Sequence, residues 1–192
     1  MSEKCIEFNS SKFYQTGKHN ETVRKMWTKS VQVLIIQSEL EKVVLNSITQ
    51  SKSKYKEQVE TQFNLINLLF MFEGILTLAI NLFTIYIIET EHADLWSYRN
   101  NKYVSSIDDL TTVDLFHKIE FLKRHDYGFL EDLYPRSIRN AVAHTNYSIN
   151  PDGSLVTYNT KGNPQNPIKP ESLKNISKNI ATFINILAAS AP

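Results

Sequence analysis

An apolar stretch in the middle of the chain, residues 66–88, constrains the fold more than any other feature. It reads INLLFMFEGILTLAINLFTIYII and is long enough to span a bilayer. It also contains Asn67, Glu73 and Asn81, and a charged residue near the middle of a membrane span is costly. A helix buried on all sides, by its own bundle and by a partner subunit, has the same pattern. We therefore predict a buried helix in a soluble protein without membrane contact, with a membrane-anchored helical protein as an alternative.

The composition favours a single helical domain. The chain has 192 residues, which is enough for one domain with a sizeable core. Only 5 glycines and 6 prolines are present, which argues against an all-β or a disordered chain. The formal net charge is only +1, so any contact with RNA has to be local rather than spread over a strongly basic surface.

Cysteine and histidine usage bears on compartment and on metals. The single cysteine, Cys5, excludes an intrachain disulfide framework and a cysteine-rich zinc site. His19, His92, His117 and His125 show no ligand spacing with one another or with Cys5. We expect neither a metal nor a cofactor. No apolar segment stands at the start of the sequence, so we expect no secretory signal and a cytoplasmic protein.

Helical periodicity dominates the first half of the chain. We predict a polar tail over residues 1–20, with a short extended piece at residues 5–8, and then a helix over residues 21–50, where apolar residues recur at steps of three and four. A polar turn and a second long helix, residues 55–89, follow. The two helices are expected to form a long antiparallel pair. Gly74 is expected to bend the second helix or to allow close approach of another helix.

Shorter elements are predicted for the second half. Residues 91–106 lose periodicity and predict a loop with a helical turn, and Ser106 with Asp109 predicts the start of a helix that runs to residue 125. Pro135 fits the first turn of a further helix that ends near residues 145–146. The remaining predicted segments are a β-hairpin at 147–158 around Pro-Asp-Gly, a loop at 161–167 and a last helix from Pro170. The predicted fold is an all-α bundle with one appended hairpin, forming a single domain over residues 21–192.

The run Arg139-Asn140-Ala141-Val142-Ala143-His144 carries the chemistry of the sequence. Arginine stays charged and binds phosphate oxygens in a planar fork, and histidine takes and gives a proton near neutral pH. These are the groups that a metal-free RNA-cleaving site needs. On a straight helix Arg139 and His144 lie about 140° apart, whereas Asn140 and His144 are neighbours. This spacing suits a site built from two copies of the motif across a two-fold axis.

This run, followed by Tyr147 and a hairpin with Pro-Asp-Gly, resembles the HEPN superfamily (higher eukaryotes and prokaryotes nucleotide-binding domain). Its hallmark is an arginine, four to six residues and a histidine, often with asparagine directly after the arginine. The resemblance implies a HEPN-like helical bundle with a long antiparallel helix pair, and a dimer in which two motifs meet in a cleft. It implies a metal-independent endoribonuclease of the kind found in toxin–antitoxin pairs and in antiphage or abortive-infection defence.

The resemblance also implies roles for the motif residues. His144 is the expected general acid and base, Arg139 stabilises the transition state, and Asn140 assists. The ribose 2′-OH attacks the phosphorus and leaves a 2′,3′-cyclic phosphate. Toxins that are modified by a nucleotidyltransferase antitoxin carry His, one residue and Tyr, whereas here two residues separate His144 from Tyr147. This departure argues against Tyr147 as a target of AMPylation.

Three further residues are predicted to support the motif. Glu73 is the only charged residue in the apolar stretch, and a buried carboxylate has to be paired or protonated, so we expect it to reach Arg139 or Asn140. Tyr147 is expected to pack under the motif. Arg136 either adds a phosphate contact or is a solvated surface residue.

The sequence leaves a second function open. A non-catalytic HEPN module would bind RNA, a nucleotide or a partner protein through the same surface, and the near-neutral charge favours it slightly. The expected partners are a second copy of the chain, an RNA substrate, and an antitoxin or another component of a defence system.

Overall fold

The computed structural model describes residues 2–10 and 20–189. Eight α-helices and two small antiparallel hairpins lie in these residues: α1 (Ser2–Ser10), α2 (Asn20–Gln50), α3 (Lys56–Met71), α4 (Thr77–Thr90), β1 (Trp96–Ser97), β2 (Lys102–Tyr103), α5 (Leu115–Arg124), α6 (Phe129–Leu133), α7 (Arg136–Ala143), β3 (Tyr147–Ile149), β4 (Leu155–Thr157) and α8 (Pro170–Ala189). A π-helical turn, Phe72–Leu76, joins α3 to α4, and a 3-10 turn, Asp109–Thr112, precedes α5. The predicted all-α class is confirmed.

The two long helices form where the periodicity predicts them. α2 ends at Gln50, and the second helix runs from Lys56 to Thr90 through the π-helical turn. Gly74 lies in this turn, and a Cβ added there would have no atom within 4 Å. Gly74 therefore marks an irregular turn, and the alternative of a close helix approach is wrong.

The apolar stretch forms the centre of the core. Every residue of α4 from Leu82 to Ile87 is buried. Around Phe83 lie the rings of Phe8, Tyr127 and Phe183, at centroid distances of 4.6, 5.0 and 6.3 Å. In the described residues, Lys56–Thr90 is the one helix long and apolar enough to cross a membrane, and 61% of its most apolar window is buried inside the protein. Burial on all sides of α4 is the arrangement that the sequence predicts.

The predicted N-terminal tail is wrong for residues 2–10, which form α1. Cys5 and Phe8 lie one helical turn apart, and both side chains are buried in the core. Phe8 packs edge-on against Tyr86 at 5.2 Å. The short extended piece predicted at residues 5–8 is therefore helical, because an i,i+3 apolar pair can enter the core from one face of a helix. Residues 11–19 of the predicted tail lie outside the described residues.

Two predictions between residues 91 and 125 are also wrong. The predicted loop with a helical turn contains the β1–β2 hairpin, in which Trp96 pairs with Tyr103. The predicted helix from residue 107 starts only at Leu115, because Asp114 is its N-cap and accepts a hydrogen bond from the His117 backbone N–H at 3.1 Å. The carboxylate of Asp109 is instead hydrogen-bonded to Lys102 and Ser105. The short helix α6 was not predicted.

The predicted hairpin forms beside the end of α7 and is anchored to α3. Ser148 pairs with Val156 in an antiparallel register. Gly153 in the connecting turn has φ +78°, and its carbonyl oxygen accepts a hydrogen bond from the Thr61 hydroxyl at 2.7 Å. The backbone carbonyl of Asn146, just past α7, accepts from the Tyr158 N–H at 3.1 Å. The hairpin thus links the C-terminal end of α7 to α3.

Candidate active site

The amphipathic pattern of α7 decides which motif residues reach the surface. Ile138, Ala141 and Val142 are buried, and their i, i+3, i+4 spacing places them on one stripe. Packing of this stripe against the core leaves the side chains of Arg139 and Asn140 partly exposed and that of His144 exposed. The short helix therefore presents its polar groups on one outer face.

The guanidinium of Arg139 is held by two neighbours. Its Nε donates to Glu73 Oε1 at 2.6 Å, and its Nη1 donates to Asn140 Oδ1 at 3.2 Å. The hydrogen bond with Glu73 raises the pKa of Arg139. The Arg139 side chain is 29% exposed and that of Glu73 is 47% exposed. The predicted contact of Glu73 is thus present, but the predicted burial of its carboxylate is wrong, because Glu73 lies on the helix face that also leaves Ile66 and Phe70 exposed.

His144 is placed at the C-terminal end of α7. Its backbone N–H donates to the Asn140 carbonyl at 3.0 Å, and its φ of −104° ends the helix. Within the part of the chain that the structure describes, no hydrogen bond or ion pair engages its imidazole. Arg139 is bonded to Glu73 and Asn140 rather than to His144. The chain therefore offers an anchored cation and a separate, solvent-accessible imidazole.

The other two predicted residues have structural partners. The Tyr147 hydroxyl donates to Gln62 Oε1 on α3 at 3.0 Å, so its hydrogen bond fastens the hairpin to α3 rather than to the motif. The guanidinium carbon of Arg136 lies 4.4 Å above the centre of the Phe116 ring. Arg136 is exposed, as the prediction of a solvated surface residue requires, and this cation–π contact orients its side chain.

A buried tyrosine beside the motif was missed. Tyr134 packs against the Phe72 ring, with centroids 5.3 Å apart, and burial raises its pKa. The charges of Arg139 and Glu73 also act on this hydroxyl. The sequence places Tyr134 directly before Pro135, but an aromatic residue at that position predicts packing and gives no sign of a neighbouring ion pair.

No group of three or more His, Cys, Asp or Glu side chains is arranged to hold a metal ion among the described residues. The candidate site consists of the motif on α7 and of Glu73 on the π-helical turn.

Comparison of the chain with known proteins finds no match among protein-family models, curated proteins or solved structures.

Proposed function

We propose that this protein is a metal-independent endoribonuclease of the HEPN type, acting as a toxin or in antiphage or abortive-infection defence. The observation that carries the proposal is the arrangement of Arg139, Asn140 and His144 on the outer face of α7, with Arg139 anchored by Glu73. The mostly helical architecture is compatible with a HEPN-like bundle. We further propose that the protein is cytoplasmic and is controlled by an antitoxin or by another component of a defence system.

In the proposed reaction, His144 transfers protons and Arg139 stabilises charge. His144 accepts the proton of the ribose 2′-OH, whose oxygen attacks the adjacent phosphorus; the new bond joins O2′ to phosphorus, and the bond to O5′ breaks. A protonated imidazole returns a proton to O5′, so the products are a 2′,3′-cyclic phosphate and a 5′-OH end. Arg139 stabilises the negative charge on the non-bridging oxygens. Its Nη2 has no protein partner among the residues described here, so N–H groups remain for phosphate.

An exposed apolar stripe on α3 supports a composite site. Val59, Ile66 and Phe70 are exposed, and Ile66, Phe70 and Glu73 follow at steps of four and three, which places them on one face of the helix. The stripe therefore ends beside the Glu73–Arg139 ion pair. A second copy that covers this stripe would bring its own motif to the same cleft. Arg139 of one copy could then act with His144 of the other, although the two residues lie about 140° apart on one straight helix.

The first test is RNA cleavage in the presence of EDTA by the wild type, Arg139→Ala and His144→Ala. We expect the wild type to leave 2′,3′-cyclic phosphate ends, and each variant to lose at least about 100-fold in rate. Arg124→Ala is the matched control, since Arg124 is an exposed arginine at the end of α5. Equal rates for the wild type and both motif variants would contradict these roles.

A second test asks whether the site is shared between protomers. If the arginine of one protomer works with the histidine of the other, a mixture of the two inactive variants contains heterodimers with one intact site. After subunit exchange, activity returns to about a quarter of the wild-type value, because half of the dimers are mixed and each has one of two sites. A mixture that stays inactive although light scattering shows exchanged dimers argues for a site within one protomer.

One observation favours the non-catalytic alternative. Glu73 and Asn140 already engage the guanidinium of Arg139, and the carboxylate opposes its charge. A module that only binds RNA, a nucleotide or a protein would retain this arrangement. RNA binding without cleavage by the wild type would favour this alternative over the nuclease.

A further inference from the structure

A row of three aromatic side chains and an arginine in contact runs from the β1–β2 hairpin to the motif helix. Tyr98, in the hairpin turn, contacts His117 of α5 with centroids 5.7 Å apart and ring planes tilted by 47°, and His117 meets Phe116 in a T-shaped contact at 5.8 Å. The guanidinium of Arg136 on α7 completes the chain, 4.4 Å from the Phe116 ring centre. We call these four side chains the stacking surface.

The rings of the stacking surface are open to solvent. Tyr98 is 77% exposed and Phe116 is 42% exposed, although an aromatic ring gains most from burial. The hairpin that carries Tyr98 is braced, because Trp96 meets Tyr103 edge-on at 4.7 Å and the Ser97 hydroxyl hydrogen-bonds with that of Thr112 at 2.7 Å. An exposed ring on a braced turn is available for a ligand with a flat face.

The charges around the stacking surface favour an anion. Of two nearby carboxylates, Asp109 is paired with Lys102, and Asp114 caps α5 and is hydrogen-bonded to the His117 ring at 2.6 Å. Arg99, next to Tyr98 in the turn, and Arg136 have no ion-pair partner among the residues that the structure describes. The surface therefore combines exposed rings with the guanidinium of Arg136, and Arg99 follows Tyr98 in the same turn; rings with cations are the chemistry that binds bases and backbone of a single strand.

The stacking surface is continuous with the candidate active site. Arg136 and Arg139 are three residues apart on α7, so their side chains leave the helix on neighbouring positions. A phosphate at Arg139 would therefore place the adjoining bases beside Arg136 and the rings beyond it. We propose that the stacking surface binds unpaired bases of single-stranded RNA that flank the phosphate to be cleaved. This inference rests on the proposed function for the identity of the polymer.

The test measures binding of a fluorescein-labelled single-stranded RNA of about 12 nucleotides, a length within the usual range of such sites, by anisotropy. All proteins carry His144→Ala, so that no cleavage interferes. Tyr98→Ala and Phe116→Ala are expected to weaken binding about five-fold or more each, whereas Tyr98→Phe, which keeps the ring, binds like its parent. A duplex of the same sequence is expected to bind more weakly, and its affinity is expected to depend little on Tyr98.

The matched control is Tyr55→Ala. Tyr55 is a comparably exposed ring with Lys54 over it at 4.9 Å, but it precedes α3, roughly 27 Å along the helix from Glu73 at 1.5 Å per residue. We expect no change in RNA affinity. Circular dichroism establishes that each variant is folded, and the 77% exposure of Tyr98 makes its replacement structurally mild.

The outcomes separate this inference from the proposed function. Wild-type cleavage with unchanged affinity of Tyr98→Ala and Phe116→Ala overturns the stacking surface and leaves the nuclease standing. Affinity that depends on both rings, without any cleavage by the wild type, supports the stacking surface and contradicts the nuclease. If the two substitutions alter the oligomeric state and leave RNA affinity unchanged, the surface binds protein and the inference is wrong.

Discussion

Gly153 offers a sharp test of how the hairpin is attached to α3. Its φ of +78° lies in the left-handed region, and a Cβ built on it would lie 3.1 Å from Thr61 Oγ1 and 3.2 Å from the Glu57 carbonyl oxygen. Glu57 O belongs to the helix backbone, so it cannot rotate away as a side chain can. Gly153→Ala should therefore strain the turn and also press the hairpin away from α3.

The expected loss has two parts that a matched glycine separates. A left-handed conformation costs an alanine about 1–2 kcal/mol, and overpacking against fixed atoms adds typically about 1–3 kcal/mol. Gly162 has nearly the same φ, +77°, but a Cβ added there would meet nothing within 4 Å. Gly162→Ala should therefore lose only the first part. The difference between the two variants, about 1–3 kcal/mol, measures the crowding against α3.

Urea unfolding followed by circular dichroism gives the free energy of unfolding for both variants and the wild type. For a chain of this size each kcal/mol lowers Tm by about 2–4 °C, so the two variants should also differ in thermal unfolding. Equal losses for Gly153→Ala and Gly162→Ala would refute the reasoning, because they would mean that the hairpin turn does not touch α3 in solution.

Two further predictions concern charged groups. Glu73→Gln should change the free energy of unfolding by less than about 1 kcal/mol, since the ion pair is partly exposed. In a His144→Ala background it should tighten RNA binding, because the carboxylate no longer opposes the charge of Arg139. Weaker binding would show that the negative charge is needed. Burial lowers the pKa of Lys118 to about 8, against 10.5 in the unfolded chain, so at this group the unfolded state binds more protons between about pH 8 and 10.5 and the Lys118 contribution to stability rises with pH there. Lys118→Met should remove this rise, whereas Lys123→Met, at an exposed ion pair with Glu131, should retain it; a retained rise in Lys118→Met would contradict the assignment.

The elements that the sequence predicts well are those with local signals. The two long helices follow from apolar residues at steps of three and four, and α8 begins at Pro170 as the proline predicts. The hairpin at 147–158 follows from Pro-Asp-Gly, because Gly153 adopts the positive φ that this turn needs. In each case neighbours along the chain determine the conformation.

The elements that the sequence mispredicts depend on distant partners. α1 is helical because Cys5 and Phe8 enter the core beside Phe83 and Tyr86. Ser106 accepts a hydrogen bond from the Asp109 backbone N–H at 3.3 Å, as its spacing predicts, but only the 3-10 turn Asp109–Thr112 starts there, and Asp114 caps α5. Local spacing identifies both caps, but it does not determine how far the helical segment behind each of them extends.

The candidate site also contains one feature that the sequence predicts and one that it does not. The choice of Glu73 as a partner for Arg139 followed from the cost of an unpaired carboxylate, and the 2.6 Å contact agrees with it. Its exposure agrees with the helical repeat, which places Glu73 on the same face as the exposed Ile66 and Phe70, whereas the π-helical turn at Phe72–Leu76 is an irregularity that periodicity does not predict. The Thr77 hydroxyl, which donates to the Phe72 carbonyl five residues earlier at 2.6 Å, is a local trace of this turn. Since π-helical turns are frequent at functional sites, the position of this turn, with Glu73 in contact with Arg139, agrees with the placement of the candidate site.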